Sequence, residues 1–513
     1  MKPWIAAESG ASCGVMGVEP EIRATARHQP SRATRRVIMI AGRDPKDEPG
    51  GGHSSYVRAH ARAAIRAGYE PHLFCIGNGK GEEEYSYGVV HRAPPNRHAV
   101  RQSEIRHHAL PLARSILSRA ELLSGATAIH GFGVWTYAAT LIAADFPTSL
   151  RRVMSMYTVY EVERHAQYLA LGRRRLTPQG VTERARWRSV RREVTALEGD
   201  AIAWSDVVVV NYASLRDLVV QVHPIAAPKI SIAPYGPESA FLEDPDPRIG
   251  GVFGHRPAIL SIALQRPKKG GEVLLEALRI LRDRGQDFRA AMVGGGEMLP
   301  RLRRLARRFG LDDFVEFPGI VPDVRPWLAA CDLYVQPSIR EESGSMALLE
   351  AMQFGRPVIC SAVDGMIEDV RDGIDGVLVP PSDPIALANA IGDLLDDPER
   401  RRRIGSAARA RFEATFDADR FAASLAQLYE GAPPPRTRRG GFAFRSSPLT
   451  SPPPASRLPP PAGATTRVAQ GLGLCRIANC NASRQSTART PSEALPTIVG
   501  GLLAWRGWTC PIS

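Results

Sequence analysis

The chain is poor in cysteine, and its few cysteines do not form local pairs. Seven cysteines occur in 513 residues, with no C-x-x-C pair among them. Cys75, Cys331 and Cys360 lie in or beside apolar segments, so we expect buried, reduced thiols there. Long apolar runs are also missing, which excludes a membrane-spanning helix of about 18 residues or more. Residues 1–34 have no apolar core of the signal-peptide type, so we expect a cytoplasmic protein.

Both ends of the chain lack the pattern of a folded domain. Residues 432–513 contain no lysine, no aspartate and one glutamate, but ten arginines and thirteen of the 42 prolines. Its proline runs at 433–435, 452–454 and 459–461 cannot support a helix or a central strand. Most of the formal net charge of +13 therefore belongs to this tail. We predict that residues 1–34 and 432–513 are disordered. The tail has few aromatics and no known recognition motif, so no nucleic acid is expected as a partner.

The middle of the chain alternates short apolar runs with longer segments of helical pattern. A strand at Arg35–Ile40 is followed by a glycine-rich loop, a helix and a second strand, and the same order recurs from Ala258. This alternation is typical of doubly wound parallel α/β sheets. Two Rossmann-like domains are therefore predicted, with a deep cleft between them. The predicted boundaries are 35–235 for the first domain, 236–412 for the second, and 413–431 for a helix that returns toward the first domain.

Two carboxylates mark a candidate ligand loop in the second half. Glu342 stands in a polar loop after the strand Leu333–Gln336, and Glu350 stands one turn into an apolar helix. The loop follows a parallel strand, where α/β sheets bind ligands, and the free N–H groups of a helix start suit a diphosphate. Carboxylates accept hydrogen bonds from sugar hydroxyls. These features favour a nucleotide-sugar pocket over the alternative of a loop acid and a solvated helix residue.

Several motifs in this order resemble the retaining glycosyltransferases of the GT-B fold, specifically family 4. The resemblance covers about residues 35–430. Its motifs are Lys269-Gly270, the turn 293–297, Phe317–Gly319 followed by 321–325, Glu342 with Glu350 (E-x7-E), 362–368 and 375–379. The resemblance implies a GT-B fold and transfer of a sugar from a nucleotide-diphosphate donor with retention of configuration. No metal or other cofactor is expected.

The resemblance also implies roles for single residues. Lys269 would balance the donor diphosphate, the alternative being a surface lysine beside Lys268. Glu342 would contact the donor sugar or diphosphate, and Glu350 the ribose hydroxyls. The predicted donor-binding set is completed by Gly344, Ser345 and Met346 at the phosphates, by Gly51 and Gly52 in the first domain's loop, and by Gly294 and Val321 near the base. For the glycines the alternative is a turn without a ligand.

The sequence departs from the family pattern at two positions. Where the family often has an arginine before the Lys-Gly pair, this chain has Leu264, and Arg266 stands two positions later. Where the family often has a histidine beside the donor sugar, this chain has Tyr157. We take Arg266 and Tyr157 as substitutes in the catalytic set. His130 is the nearest other histidine, and a strand-end histidine is more often structural.

The expected acceptor is a carbohydrate or a lipid-linked molecule in cell-surface polysaccharide, lipopolysaccharide or glycolipid synthesis. A basic stretch over 173–192, with Trp187 inside it, suits peripheral contact with an anionic membrane. The alternative is a solvated helix paired with Glu183 and Glu193. Asp244 and Asp246 lie among prolines and are interpreted as a turn. Two other functions stay open: a sugar-nucleotide epimerase, for which no acid/base set is found, and a catalytically inactive GT-B protein that binds a partner.

Overall fold

The structure is a computed structural model. It describes residues 35–45, 52–78, 81–95, 104–162, 178–242, 253, 256–341 and 343–431. The predictions of disorder for 1–34 and 432–513, and the turn at Asp244 and Asp246, lie outside the described residues. The described residues belong to one compact unit.

The first domain is built on an eight-stranded sheet in the order β3-β4-β2-β1-β5-β6-β7-β8. Its strands are β1 (Arg35–Ile40), β2 (Tyr69–Ile76), β3 (Glu82–Tyr85), β4 (Gly88–Ala93), β5 (Ala126–Phe132), β6 (Arg151–Met156), β7 (Val207–Val210) and β8 (Ile230–Ile232). All neighbours pair in parallel except β3 and β4, which form an antiparallel hairpin at the edge. The central strands are buried on both faces, which explains runs such as the four consecutive valines of β7.

The second domain has a six-stranded, fully parallel sheet in the order β11-β10-β9-β12-β13-β14. Its strands are β9 (Ala258–Ile262), β10 (Arg289–Val293), β11 (Val315–Gly319), β12 (Leu333–Gln336), β13 (Val358–Ser361) and β14 (Val377–Val379). In both sheets the strand order reverses beside the first strand of the domain. At such a switch point two neighbouring loops diverge and leave a crevice at the carboxyl ends of the strands. The prediction of two doubly wound parallel-sheet domains is confirmed.

Helices cover both sheets and supply the rest of the core. In the first domain they are α1 (Gly52–Arg66), α2 (Glu104–Leu117), α3 (Ala120–Ser124), α4 (Tyr137–Thr140), α5 (Pro178–Trp204) and α6 (Ala213–Val222). In the second they are α7 (Gly271–Asp283), α8 (Leu299–Arg308), α9 (Arg325–Ala330), α10 (Met346–Gln353), α11 (Met366–Asp369), α12 (Pro384–Asp396) and α13 (Pro398–Thr415). The described part of the chain ends with the helix α14 (Ala418–Tyr429). Cys75, Cys331 and Cys360 are buried and take part in no disulfide among the described residues, as expected.

The last helix of the described residues, α14, packs on the first domain. Position 412, the predicted end of the second domain, falls within α13, so the chain crosses back after Thr415. The Phe421 ring of α14 lies 4.9 Å from the ring of His60 in α1. The Tyr429 hydroxyl lies 2.8 Å from Nδ1 of His130 at the centre of the first sheet. The apolar side chains of α14 are therefore part of the core of the first domain, although the helix follows the second domain in sequence.

Two parts of the first domain were not anticipated from the sequence. The β3–β4 hairpin was missed because its first strand, Glu82–Tyr85, is acidic and mostly exposed, without the apolar pattern of a strand. Strand β5 does not end at His130. It continues to Phe132 and passes into a 3-10 turn at Gly133–Thr136 before the short helix α4. The apolar residues after His130 thus extend the buried strand.

Candidate active site

A cleft of about 340 Å³ lies where the carboxyl ends of the two sheets face each other. The first domain contributes the start of α1 and the loop after β6, and the second contributes the loops after β9, β10, β11 and β12. The lining residues are Gly52, His53, Ser55, Tyr56, Tyr157, Thr158, Tyr235, Ile262, Ala263, Leu264, Arg266, Lys268, Lys269, Val293, Gly294, Gly295, Ile320, Val321, Val324, Glu341, Ser343, Gly344, Ser345, Met346, Ala347 and Glu350.

Most of the site residues expected from the sequence line this one cleft. They are Tyr157, Arg266, Lys269, Gly52, Gly294, Val321, Gly344, Ser345, Met346 and Glu350. Gly51 and Glu342 lie outside the described residues. Leu264 and Arg266 both reach the cleft, so a guanidinium is present beside the position where the family pattern expects one.

Lys269 is held at the cleft by a carboxylate that the sequence interpretation did not select. Its Nζ lies 2.6 Å and 2.5 Å from the two carboxylate oxygens of Glu341. The Glu341 side chain is 4% exposed, and it also accepts hydrogen bonds from Gln336 and Ser338. The pair therefore joins the loop after β9 to the loop after β12. Glu341 stands directly before Glu342 and is not part of the E-x7-E spacing, so the motif gave no signal for it.

The turn after Lys269 explains why a glycine follows the lysine. Gly270 has φ +70°, and a Cβ built on it would stand 1.9 Å from the carbonyl oxygen of Pro337. Any side chain here would push the lysine turn away from the loop that carries Glu341. The Lys-Gly pair is thus a close approach of two backbones, which fixes the position of the ammonium group.

A second close approach of backbones forms the wall after β10. Gly294 has φ +117°, and a Cβ there would lie 2.0 Å from the carbonyl oxygen of Ala263. The neighbouring Gly295 packs beneath the side chain of Ile320, which together with Val321 and Val324 lines an apolar part of the cleft. The glycines after β10 therefore allow this apolar wall to form.

The start of α10 presents backbone N–H groups at the cleft. Ser345 is the N-cap residue, and its Oγ accepts a hydrogen bond from the Leu348 N–H at 3.4 Å. The same hydroxyl donates to Gln336 at 3.2 Å, which ties the helix start to the end of β12. A helix N-terminus in this position attracts anions through its partial positive charge.

Glu350 lies deeper in the cleft, one turn into α10. Burial raises the pKa of Glu350 to about 8, and the carboxylates of Glu238 and Asp323 act in the same direction. Arg58 and Arg325 oppose that shift. The side chain is half-buried, and no described residue makes a hydrogen bond to it. A carboxyl group with this pKa is mostly protonated at neutral pH and can then donate as well as accept hydrogen bonds.

The first domain's face of the cleft is aromatic. The ring of Tyr157 lies 5.3 Å from that of His53 and 5.1 Å from that of Tyr56, and Tyr235 packs on Tyr56 at 4.6 Å. Burial raises the pKa of Tyr56 well above its ordinary value of 10. The sequence interpretation did not select His53, although its place directly after the glycine run at the start of α1 was a usable signal.

His130 belongs to the core and not to the cleft. Its Nδ1 lies 2.8 Å from the Tyr429 hydroxyl, and its Nε2 lies 2.7 Å from Ser155 Oγ. Burial lowers the pKa of His130 well below its ordinary value of 6.5, so the ring is neutral. The interpretation of this histidine as structural agrees with the geometry.

The basic stretch is only partly within the described residues. Residues 163–177 fall outside them, and so do the side chains of Glu183 and Trp187. On α5 the exposed Arg191 pairs with Glu161, and Glu193 lies 3.7 Å from Arg106. These acids and bases come from neighbouring segments as well as from α5 itself. Among the described helices none is long and apolar enough to cross a membrane. In the same part of the chain no cluster of three or more metal-ligating side chains is found.

The two sheets, their switch points and the cleft between them define the GT-B class of glycosyltransferase folds. Sucrose-phosphate synthase from Thermosynechococcus elongatus has the same fold with a TM-score of 0.63 and 22% identity, covering 77% of this chain and 98% of that protein. In sequence, residues 243–411 match the family described as glycosyl transferases group 1.

Two relatives illustrate how far the sequence likeness extends. A GDP-mannose-dependent alpha-(1-6)-phosphatidylinositol monomannoside mannosyltransferase from Mycolicibacterium smegmatis is 29% identical over 64% of this chain and 91% of its own length. A D-inositol 3-phosphate glycosyltransferase from Streptomyces scabiei is 36% identical over 33% of this chain and 40% of its own length. The shorter match spans less than half of the Streptomyces protein.

Proposed function

We propose that the protein is a retaining glycosyltransferase that moves a sugar from a nucleotide-diphosphate donor to an acceptor hydroxyl. The observation that carries the proposal is the meeting of Lys269, the N-terminus of α10 and Glu350 around one cleft of a GT-B fold. A cation and a helix start suit a diphosphate, and a carboxyl group suits ribose hydroxyls. Because a relative uses GDP-mannose, a mannosyl donor is the first to test.

In the proposed reaction the bond between the anomeric carbon and the donor diphosphate breaks, and its electron pair goes to the diphosphate oxygen. The acceptor hydroxyl attacks from the same face, and its proton passes to that departing oxygen. Lys269, Arg266 and the α10 N–H groups would stabilise the growing negative charge. This scheme retains the anomeric configuration and needs no covalent nucleophile or bound metal.

The remaining roles follow the same geometry. Glu350 would bind the ribose, and the apolar wall of Ile320, Val321 and Val324 would face the base. Tyr157 and His53 would lie beside the donor sugar from the first domain. Glu342, for which the motif alone argues, would contact the sugar or diphosphate. The acceptor would be a lipid-linked or carbohydrate hydroxyl in cell-surface glycan or glycolipid synthesis, made in the cytoplasm or at the inner face of the membrane.

The test is a panel of nucleotide sugars, with release of the nucleotide measured in the presence of lipid-linked and oligosaccharide acceptors. We expect turnover with one donor and a loss of about 100-fold or more in Lys269→Ala, which removes a stabilising cation. The turnover of Glu342→Ala is also expected to fall. Arg279→Gln is the matched control, because it removes a cation from an exposed pair with Asp283 on α7, away from the cleft. Full turnover in Lys269→Ala would contradict the proposed mechanism.

A second candidate, a GT-B protein that binds nucleotide sugar without turnover, is favoured by one observation. The side chain at the usual histidine position is the phenol of Tyr157, which lies in the cleft but does not carry a charge near neutral pH. Binding of a donor without release of nucleotide, with every acceptor class present, would favour this alternative.

A further inference from the structure

The turn between β7 and α6 reaches out of the first domain and touches the second. Tyr212 is 1% exposed, and its ring is part of the core cluster that contains Val210 and Leu215 of the first domain. Its hydroxyl donates a hydrogen bond of 2.8 Å to Asp369 Oδ2 in the second domain. One side chain therefore belongs to both domains.

A neighbouring glutamate of the second domain supplies the cap of α6. Tyr212, the N-cap residue, gives that helix no side-chain cap. Instead, the Glu368 carboxylate accepts hydrogen bonds from the Ala213 N–H at 3.0 Å, the Ser214 N–H at 2.8 Å and the Ser214 hydroxyl at 2.7 Å. Capping satisfies N–H groups that a helix start otherwise leaves unpaired. The start of α6 in the first domain is therefore capped by a side chain of the second domain.

An arginine of the second domain also binds the backbone of Glu368 and Asp369. Arg411 of α13 donates to the backbone oxygens of Glu368 and Asp369, at 2.7 Å and 2.5 Å. Burial, and next the charge of Asp369, raise the pKa of Tyr212 well above its ordinary value of 10. The hydroxyl therefore stays protonated and donates to the Asp369 carboxylate.

The Tyr212–Asp369 bond lies directly against the loop that lines the cleft. A Cβ built on Gly344 would stand 2.0 Å from the Tyr212 hydroxyl oxygen and 2.6 Å from Asp369 Oδ2. A Cβ on Gly365 would stand 2.7 Å from the Tyr212 ring and 2.6 Å from the Gly344 backbone nitrogen. The backbone at Gly344 is therefore packed between the tyrosine and the turn at Gly365, with no space to spare. Ser343 and Ser345, on either side of it, face the cleft.

We propose that Tyr212 is a positioning residue for the donor site: through its bond to Asp369 it holds the loop at Gly344 in the shape that receives the diphosphate. This inference rests on the proposed function. It makes the donor site of the second domain depend on a side chain of the first. Loss of the hydroxyl lets the loop sample other shapes, so the binding-competent fraction falls and the apparent affinity falls with it.

The experiment compares Tyr212→Phe with Tyr429→Phe in the full chain. Both substitutions remove one buried tyrosine hydroxyl and its single hydrogen bond, but Tyr429 bonds to His130, away from the cleft. Affinity for GDP and UDP is measured by calorimetry, the melting temperature by calorimetric scanning, and the donor KM and kcat by nucleotide release. We expect both variants to melt at lower temperature. Only Tyr212→Phe should bind the nucleotide about three- to tenfold more weakly and raise the donor KM more than it lowers kcat.

A milder variant keeps the inference testable if Tyr212→Phe does not fold. Ser214→Ala removes one of the three hydrogen bonds to Glu368 and should weaken nucleotide binding about twofold, in the same direction. Unchanged nucleotide affinity in Tyr212→Phe and Ser214→Ala, or an equal loss in Tyr429→Phe, would overturn the inference while the proposed function stands. Failure of the wild-type protein to bind any donor of the nucleotide-sugar panel would overturn the proposed function, and this inference with it.

Discussion

The Lys269 ammonium group lies within 2.6 Å of both carboxylate oxygens of Glu341, in a pair that spans two loops of the second domain. Glu341 is nearly enclosed, and Ser338 and Gln336 donate to the same carboxylate. The Glu341 carboxylate therefore accepts hydrogen bonds from three side chains, one of which carries a positive charge. We interpret Glu341 as the group that orients the cation toward the cleft.

The substitution Glu341→Gln should disturb this pair. An amide carries no charge, and its NH₂ group would face the Lys269 ammonium or the donors Gln336 and Ser338. We expect a loss of about 2 kcal/mol in unfolding free energy and a lower kcat, because the cation is no longer held in place. Denaturant unfolding and nucleotide release measure the two effects. Glu276→Gln, the same change at an exposed acid on α7, should alter neither.

Glu350 should make the stability of the protein depend on pH. Its pKa is about 8 in the folded protein against an ordinary value of 4.5, so the folded state binds more protons between these values. The contribution of Glu350 to the free energy of unfolding is then fully present below about pH 4.5 and is lost as the pH rises through 8. Because the side chain is only half-buried, we expect an effect of about 2 kcal/mol.

The measurement for Glu350 is the melting temperature of the wild type and of Glu350→Gln between about pH 5 and pH 8.5. The variant cannot ionise at this position, so its advantage over the wild type should grow as the pH rises. Parallel curves for the two proteins would show that Glu350 has a similar pKa in the folded and unfolded chains.

Gly294 should tolerate substitution much less than another glycine with positive φ. Gly294→Ala combines φ +117° with a Cβ at 2.0 Å from the Ala263 carbonyl oxygen, whereas Gly285 has φ +80° and open space. We expect a loss of about 3 kcal/mol and weaker nucleotide binding for Gly294→Ala, against about 1 kcal/mol and unchanged binding for Gly285→Ala. Denaturant unfolding and nucleotide calorimetry are the measurements. Similar losses in the two variants would mean that only the backbone conformation matters.

Tyr157 offers a direct test of the departure from the family pattern. If its hydroxyl bonds the donor sugar, Tyr157→Phe should lower kcat about tenfold, and Tyr157→His should retain more activity because an imidazole can also donate. Tyr85→Phe, at the edge hairpin, is the control and should turn over normally. Unchanged kcat in Tyr157→Phe would leave the ring with a packing role beside His53 and Tyr56.

Local order along the chain was sufficient to predict the fold class. Apolar runs such as 258–262 and 333–336 are typical of buried parallel strands when segments of helical pattern alternate with them. The Lys-Gly pair was recognised as a motif, but the close approach of Gly270 to Pro337 came only from the structure. The motif spacing also placed Glu350 in the cleft, because a spacing within one loop and one helix is set by the geometry of those elements.

Contacts between distant segments were decided only by the tertiary structure. Nothing near Glu341 in the sequence shows that it meets Lys269, 72 positions earlier. The Tyr212–Asp369 bond joins residues 157 positions apart, and His53 at the start of α1 contacts Tyr157 in the loop after β6. The periods of helices and strands specify which side chains share a face of one element. Which faces and loops then meet depends on how two whole sheets and their helices pack, and no local pattern encodes that.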